Sequence, residues 1–283
     1  MSSADAAVEK GAEEEPTLEL GVETADLAAV PLRVDGLEKQ FGGITAVDGA
    51  TFEVERGTIT GLIGPNGAGK STTFNLITGF HRPDAGTVYF DGDDVTGDSP
   101  HTLARKGLVR TFQIARELSE MTVMENMMLA PKGQSGEQLW RSVLPWTRGG
   151  VRAQESENLE RTWRTLEFFE LDHLWNEYAG NLSGGQRKLL EMARVLMTDP
   201  QVVLLDEPLA GVNPSLEKRL LEHLHELTDL GYTFLIVEHD MDVIMQHCEH
   251  VIVMHQGRVL AEGTPADIRD NEEVIDAYLG DDL

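Results

Sequence analysis

Residues 64–71 constrain the fold of this chain more than any other segment. They read Gly-Pro-Asn-Gly-Ala-Gly-Lys-Ser and fit the phosphate-loop pattern G-x-x-x-x-G-K-[ST]. Three glycines let backbone N–H groups turn inward toward a polyphosphate, because no Cβ stands in the way. The apolar run 59–63 is typical of a buried strand, and residues 71–78 of a helix whose N-terminus favours phosphate. We therefore expect a phosphate-binding strand–loop–helix unit rather than a plain glycine-rich turn.

Two side chains supply the chemistry of this loop. The Lys70 ammonium group is expected to reach the β- and γ-phosphates, and the Ser71 hydroxyl to ligate Mg²⁺. On its own the loop indicates only a nucleoside triphosphate, so the rest of the chain decides the kind of protein. The candidate nucleotide-binding residues of the loop are Gly64, Pro65, Asn66, Gly67, Ala68, Gly69, Lys70, Ser71 and Thr72.

The charge balance excludes one class of partner. The chain has 283 residues, of which 49 are acidic and 23 basic, for a net charge of −26. Such a charge argues against binding the nucleic-acid backbone, which needs clustered lysine and arginine. One interpretation of the excess is a high-salt cytoplasm, where screening reduces self-repulsion. The other is an acidic tail, but residues 1–31 hold eight acids and one lysine, a net −7 of the −26.

Cysteine content and hydropathy indicate the compartment. Cys248 is the single cysteine, so no internal disulfide forms and a reducing compartment is expected. We expect Cys248 to be a small core residue. No apolar run approaches the roughly 18 residues of a membrane span, and the N-terminus lacks the basic-then-apolar pattern of a signal peptide. These features predict a cytosolic chain, unless a partner holds it at a membrane.

The residue composition and the hydrophobic periodicity of the sequence change twice along the chain. Residues 1–31 are rich in glutamate and alanine and predict a disordered, solvating tail. Residues 32–280 form the predicted ordered domain. Within it, β-branched runs give way to helical spacing, which predicts a helical subdomain at about residues 115–182.

Residues 182–186 read Leu-Ser-Gly-Gly-Gln, and a helical pattern follows them. A serine and two glycines at a helix start form a second possible anion site, because the N–H groups of the first turn are unpaired. A simple N-cap followed by flexible glycines is the alternative interpretation.

Polar residues follow several predicted strands at the point where each ends. The apolar run 201–205 is closed by Asp206 and Glu207, which suits a Mg²⁺ site beside a general base. His239 follows another apolar run in the same way, and Gln113 follows a third. Because ligands bind outside the carboxyl ends of strands in open α/β sheets, we expect these side chains to gather there.

Taken in order, these motifs resemble those of the ATP-binding subunits of ABC transporters over about residues 32–279. Walker A alone occurs in many nucleotide hydrolases, whereas the signature motif before Walker B is far more specific. The resemblance implies an α/β P-loop NTPase fold, with a mixed or antiparallel β subdomain and an inserted α-helical subdomain. The matching segments are residues 64–71 as Walker A, Gln113 as the Q-loop, residues 182–186 as the signature, residues 202–206 as Walker B followed by Glu207, and His239 as the switch histidine.

The resemblance also implies residue roles in a head-to-tail dimer that holds ATP and Mg²⁺. ATP would lie between Walker A of one subunit and the signature residues of the other, which are Leu182, Ser183, Gly184, Gly185 and Gln186. The implied catalytic residues are Lys70, Gln113, Glu207 and His239, and the implied metal ligands are Ser71, Gln113 and Asp206. By family position Phe41 stacks on adenine, although a core aromatic is the other interpretation. Asn213 stands where many relatives end the D-loop with aspartate, so communication between the two ATP sites is expected to differ.

Within the family, the chain most resembles the larger ATPase subunit of branched-chain amino acid importers. The local features are residues 110–113, 121–126, 210–214, 253–263 and 277–280. This resemblance implies two transmembrane permease subunits, a second ATPase subunit that is paralogous or identical, an extracellular solute-binding protein that acts indirectly, and a place at the cytoplasmic face of the cell membrane. Importers of urea or short amides share parts of these features.

A non-transport ABC ATPase that acts on ribosomes or DNA is the other alternative. The chain has one cassette where translation-type relatives usually carry two. The 69 residues from Gln113 to Leu182 leave no room for the long coiled coil of DNA-type relatives, and the net charge of −26 opposes nucleic acid.

Overall fold

Two β-sheets organise the part of the chain that the computed structural model describes, residues 29–111, 118–132 and 148–279. The first sheet is antiparallel, with strand order β2-β1-β4-β5. Its strands are β1 (Leu32–Phe41), β2 (Ile44–Val54), β4 (Ala85–Phe90) and β5 (Asp93–Asp94). The predicted tail lies almost wholly outside the described residues, and so does Gln113.

The second sheet has six strands in the order β10-β9-β3-β8-β7-β6. It is parallel except for the β9–β10 hairpin. Its strands are β3 (Ile59–Ile63), β6 (Leu108–Arg110), β7 (Val202–Asp206), β8 (Thr233–Val237), β9 (His250–His255) and β10 (Arg258–Gly263). This mixed sheet and the antiparallel sheet confirm the predicted α/β class.

Nine α-helices lie in the described residues. They are α1 (Lys70–Ile77), α2 (Pro100–Lys106), α3 (Val123–Met128), α4 (Arg148–Phe168), α5 (Gly184–Leu196), α6 (Pro214–Asp229), α7 (Met241–His247), α8 (Pro265–Arg269) and α9 (Glu272–Leu279). None of these helices combines the length and the apolar composition needed to cross a membrane.

The centre of the second sheet explains the long apolar runs of the sequence. Every residue of β3 and β8 is buried, and so are the first four of β7, because both faces of this sheet are covered. One face shares a core with α1, α2 and the antiparallel sheet, and the other shares a core with the later helices. In register, Asp206 lies beside Val237, and Val237 lies beside Leu62. The carboxyl ends of β7, β8 and β3 therefore meet at one edge, where the segments after them form the candidate site.

Residues 118–182 contribute helical structure where they are described. Thr122 and Glu125 form a reciprocal capping box at the start of α3. The short 3₁₀ helices Asp172–Leu174 and Ala179–Asn181 follow α4, and a single β-bridge joins Thr122 to Tyr178. This part packs on α5 through buried residues that belong to the same core as the second sheet, namely Val123, Met127, Leu166, Phe169 and Leu171.

Candidate functional site

The phosphate-loop segment lies between the end of β3 and the start of α1. Gly64 has φ 146° and Gly69 has φ 102°, both in the region that favours glycine. A Cβ at Gly64 would lie 2.1 Å from the carbonyl oxygen of Met254, and one at Gly69 2.5 Å from that of Ala46. Conformation and close approach thus both require glycine at these two positions.

The turn between β9 and β10 is hydrogen-bonded to the phosphate-loop segment. The Gly257 N–H donates to the carbonyl oxygen of Ala68 at 2.9 Å, and the Asp48 N–H donates to the carbonyl oxygen of Gly257 at 2.8 Å. Through Asp48, which lies in β2, this chain of bonds also ties the loop to the antiparallel sheet.

Lys70 is buried inside the loop. Its Nζ donates to the carbonyl oxygen of Gly64 at 2.6 Å and to that of Pro65 at 3.1 Å. Burial lowers the pKa of Lys70, and the negative charge of Glu207 acts in the opposite direction. The loop thus presents a desolvated amine at the start of α1.

A cavity of about 400 Å³ lies in front of this loop. Seven predicted loop residues line it, together with Glu207 and His239 from the ends of β7 and β8; the seven are Asn66, Gly67, Ala68, Gly69, Lys70, Ser71 and Thr72. Gly64, Pro65, Asp206 and Phe41 are not among the lining residues. Sequence reasoning missed four that are, namely Ile44, Thr45, Ala46 and Val237.

Glu207 and His239 are joined at the edge of this cavity. The His239 Nε2 lies 2.6 Å from the Glu207 Oε1, and about half of each side chain is exposed. Glu207 has φ 49°, a left-handed conformation that costs a non-glycine residue on the order of 1–3 kcal/mol. Its N–H donates to the carbonyl oxygen of Val237 at 2.9 Å, which fixes this backbone against β8.

The Asp206 carboxylate is held by an arginine that sequence reasoning did not assign to the site. Nη2 of Arg110 lies 2.5 Å from Oδ2 of Asp206, and Nη1 donates to Oδ1 of Asn75 in α1 at 2.7 Å. The guanidinium also lies over the rings of Phe74 and Phe80, with its carbon 5.8 and 5.7 Å from their centroids. Arg110 ends β6, so the rule that located the other polar residues at strand ends also applies to it.

The donor set at this edge fits a magnesium ion that is held jointly with phosphates. In residues 29–111, 118–132 and 148–279, no group of three or more histidine, cysteine, aspartate or glutamate residues is arranged to hold a metal. Mg²⁺ usually takes one or two protein oxygens and completes its shell with phosphate and water. The Ser71 hydroxyl at the cavity and the Asp206 carboxylate are donors of that kind.

Ser183 is the N-cap of α5. Its Oγ accepts from the Gln186 N–H at 3.2 Å, and Oε1 of Gln186 accepts from the Ser183 N–H at 2.9 Å, a complete capping box. Leu182 is buried in the core rather than exposed at this helix start. Ser183, Gly184, Gly185 and Gln186 line a second cavity of about 600 Å³.

Residues 210–213 line the other side of this second cavity. Asn213 is the N-cap of α6: its Oδ1 accepts from the Leu216 N–H at 3.0 Å and from the Ser215 hydroxyl at 3.0 Å. The side-chain oxygen expected to act in the D-loop is therefore bonded within its own chain. Among the residues that the structure describes, none lines both cavities.

Phe41 is not a core aromatic, since 42% of it is exposed. Its ring packs edge-on against His81, with the centroids 5.3 Å apart, and Nζ of Lys39 lies 5.5 Å from its centroid. Stacking on adenine stays a prediction.

Comparison with known proteins gives the same family by two routes. The family model described as ABC transporter matches residues 47–210, and the model described as branched-chain amino acid ATP-binding cassette transporter matches residues 258–283. The chain is 47% identical over 249 residues to the probable branched-chain amino acid transport ATP-binding protein LivG of Archaeoglobus fulgidus, which spans 88% of this chain and 95% of that protein. It is 41% identical over 251 residues to the high-affinity branched-chain amino acid transport ATP-binding protein BraF of Pseudomonas aeruginosa, which spans 88% and 98%.

Solved structures agree with the fold. The ADP conformation of MJ1267, an ATP-binding cassette of an ABC transporter, is similar with a TM-score of 0.76 and 39% identity, over 89% of this chain and 100% of that one. A nucleotide-free ATP-binding cassette from an ABC transporter is similar with a TM-score of 0.74 and 39% identity, over 88% and 98%. The loop at the end of β3 and the matches along the chain lead to one conclusion: this chain belongs to the ABC transporter family and is one of its ATP-binding, ATP-hydrolysing cassettes.

Proposed function

We propose that this cassette powers the import of branched-chain amino acids. The observation that carries the choice of solute is that residues 258–283, beyond the segment 47–210 that matches the general ABC transporter model, match the model described for branched-chain amino acid transporters. The names of relatives that are 41–47% identical over 88% of the chain support the same choice.

Two cassettes would pair head to tail, with each ATP between the two cavities of different subunits. The phosphate-loop cavity supplies Lys70, backbone N–H groups and the Glu207–His239 pair. The second cavity supplies the N-terminus of α5, where Gly184 and Gly185 leave the backbone open to a ligand and the helix dipole favours an anion. The separation of these complementary sets on one chain supports a site that two subunits complete.

Hydrolysis would proceed by positioning and charge neutralisation, as in other phosphoryl transfers. Lys70 would exchange its bonds with the loop carbonyls for bonds with the β- and γ-phosphates. Glu207 would accept a hydrogen bond from the attacking water and orient it. His239 would hold the Glu207 carboxylate and contact the γ-phosphate, and Phe41 would stack on the adenine.

Ser71, Asp206 and Gln113 are the residues proposed to hold Mg²⁺ beside the phosphates. When bound, Mg²⁺ neutralises charge that develops on the phosphate oxygens. Arg110 would fix the Asp206 carboxylate through Oδ2. The bonds of Arg110 to Asp206 and to Asn75 tie the Asp206 carboxylate to α1, the helix that begins with Lys70.

The relatives' description as transport ATP-binding proteins supports a place at the cytoplasmic face of the cell membrane. The proposed partners are two transmembrane permease subunits and a second cassette, either identical or paralogous. An extracellular solute-binding protein would act indirectly, by delivering the solute to the permeases.

Glu207→Gln tests this assignment of the site. The variant keeps the size of the side chain but lacks the negative charge with which the carboxylate orients the attacking water, so we expect ATP turnover to be lost. ATP binding should persist, and sedimentation should show a dimer that requires ATP. Glu222→Gln, on the exposed face of α6, is the matched control and should hydrolyse ATP like the wild type. Near-normal turnover by Glu207→Gln would refute the role of Glu207, and ATP-bound monomers at high protein concentration would refute the shared site.

A further inference from the structure

Glu238 connects the segments that line the two cavities, but it lines neither cavity itself. It stands between Val237 and His239, which both line the phosphate-loop cavity. Its carboxylate reaches Leu209, which directly precedes the residues 210–213 that line the second cavity. One side chain thus bridges the backbones of the two half-sites.

The carboxylate bonds backbone groups with both of its oxygens. Oε1 accepts from the Leu209 N–H at 2.8 Å, and Oε2 accepts from the His239 N–H at 3.3 Å. Glu238 is only 7% exposed, and burial raises its pKa. A carboxylate is costly to bury and is found inside proteins when it is bonded to partners that require it. Here those partners are two amides on different loops.

The loop from Leu209 to Asn213 is fixed at its two ends by side chains. Glu238 holds its first N–H, and the N-cap bond of Asn213 holds its last residue on α6. Between them, the Ala210 N–H donates to the carbonyl oxygen of Glu207 at 3.2 Å, and the Val212 N–H to that of Leu209 at 3.2 Å. Glu238 is therefore the side chain that sets where the first residue of this loop lies, beside the backbone bond to Glu207.

We propose that Glu238 is a positioning residue that couples the two half-sites of one subunit. A displacement of His239 at the phosphate-loop cavity would move the carboxylate beside it and, through Oε1, the loop that faces the second cavity. The proposal rests on the proposed function, since coupling matters only where both cavities bind nucleotide.

Two substitutions of equal length separate the acceptor of Glu238 from its charge. Glu238→Gln keeps an oxygen that can accept from the Leu209 N–H, removes the charge, and places an amide nitrogen, which cannot accept, where Oε2 accepts from the His239 N–H. Glu238→Met keeps the length of the side chain and removes both the acceptor for Leu209 and the charge. If the acceptor is what matters, the glutamine variant retains the coupling and the methionine variant loses it.

The first measurement is amide hydrogen exchange at Leu209 in the full chain without nucleotide. Loss of one hydrogen bond to a buried acceptor should speed exchange about tenfold in Glu238→Met, whereas Glu238→Gln should stay within about threefold of the wild type. Unchanged exchange in Glu238→Met, or equally fast exchange in both variants, would overturn the proposal. If Glu238→Met fails to fold, Glu238→Gln still tests the proposal, because exchange at Leu209 more than about threefold faster than in the wild type would overturn it.

The second measurement combines each substitution with Glu207→Gln and follows ATP-driven dimerisation by sedimentation. ATP affinity of the monomer should be unchanged, while Glu238→Met should require about tenfold more protein to dimerise and Glu238→Gln should not. Equal dimerisation of the two double variants would overturn the coupling. If Glu207→Gln alone fails to dimerise while Leu209 exchange changes as expected, the shared site is wrong, and Glu238 makes a local bond without a coupling role.

Discussion

Arg110→Met should destabilise the cassette more than a matched change at the surface. The Arg110–Asp206 pair has side chains that are 10% and 17% exposed. The substitution removes one bond to Asp206 and one to Asn75, each about 1.5–3 kcal/mol because the donor is charged. It also leaves the Asp206 carboxylate without its cation, and breaking a buried pair costs about 3–5 kcal/mol. The cost of breaking the pair already includes the bond to Asp206, and methionine retains contact with the rings of Phe74 and Phe80, so we expect the free energy of unfolding to fall by at least about 3 kcal/mol.

Arg258→Met is the control, because its pair has similar bond lengths and a different environment. Arg258 donates to Oδ2 of Asp48 at 2.8 and 2.6 Å, but these side chains are 69% and 39% exposed. Solvent screening should limit the loss to under about 1 kcal/mol. Urea unfolding of both variants without nucleotide, followed by circular dichroism, measures the difference. Equal losses in the two variants, or a loss below about 1 kcal/mol for Arg110→Met, would refute the argument from burial.

Three further outcomes are expected. A Cβ at Gly184 meets no atom of its own chain within 4 Å, so Gly184→Ala should fold and bind ATP as a monomer like the wild type. Gly184→Arg should fill the second cavity and prevent ATP-driven dimerisation without changing the ATP affinity of the monomer, and weaker monomer binding would contradict this. Burial raises the pKa of the Cys248 thiol to about 12, so at pH 8 a disulfide reagent should label it far more slowly in the native protein than in urea, and similar rates would contradict this. Burial raises the pKa of Glu238 from 4.5, so above pH 4.5 the unfolded chain loses this proton before the folded chain does, and the stability of the wild type falls as the pH rises. Urea unfolding at pH 5 and 7.5 should therefore show that Glu238→Gln gains stability relative to the wild type at the higher pH. A difference between the two proteins that does not change with pH would contradict this.

The fold was predictable where burial leaves a continuous apolar run. The run 59–63 is strand β3, and the runs 201–205 and 233–237 match β7 and β8 within one residue, because central parallel strands are apolar on both faces. Of the predicted strand 108–112, residues 108–110 form β6, Thr111 lies beyond its end, and Phe112 lies outside the described residues. Thr111 is buried like the strand residues before it, so the pattern of buried residues does not change at the end of the strand and could not be used to predict that end.

The site was predictable where a motif is local, and less so where it depends on which strands are neighbours. Glycine spacing located the loop of the first cavity, and Ser183 with Gln186 fits a local capping pattern. The bond between Arg110 and Asp206 depends on the pairing of β6 with β7, which no local pattern specifies. Ile44 lines the first cavity for a similar reason, since β2 belongs to a different sheet from β3. Gln113 lies outside the described residues, so its role stays a prediction.

The most direct test of the proposed transport role is solute uptake by the source cells. The chromosomal gene would be replaced by the Glu207→Gln form, with Glu222→Gln as the control, and uptake of labelled leucine and labelled urea would be measured. A branched-chain amino acid importer predicts that Glu207→Gln reduces leucine uptake to the level of a strain without the gene, while urea uptake and the control strain are unaffected. Unchanged leucine uptake, or loss of urea uptake instead, would contradict the proposed function.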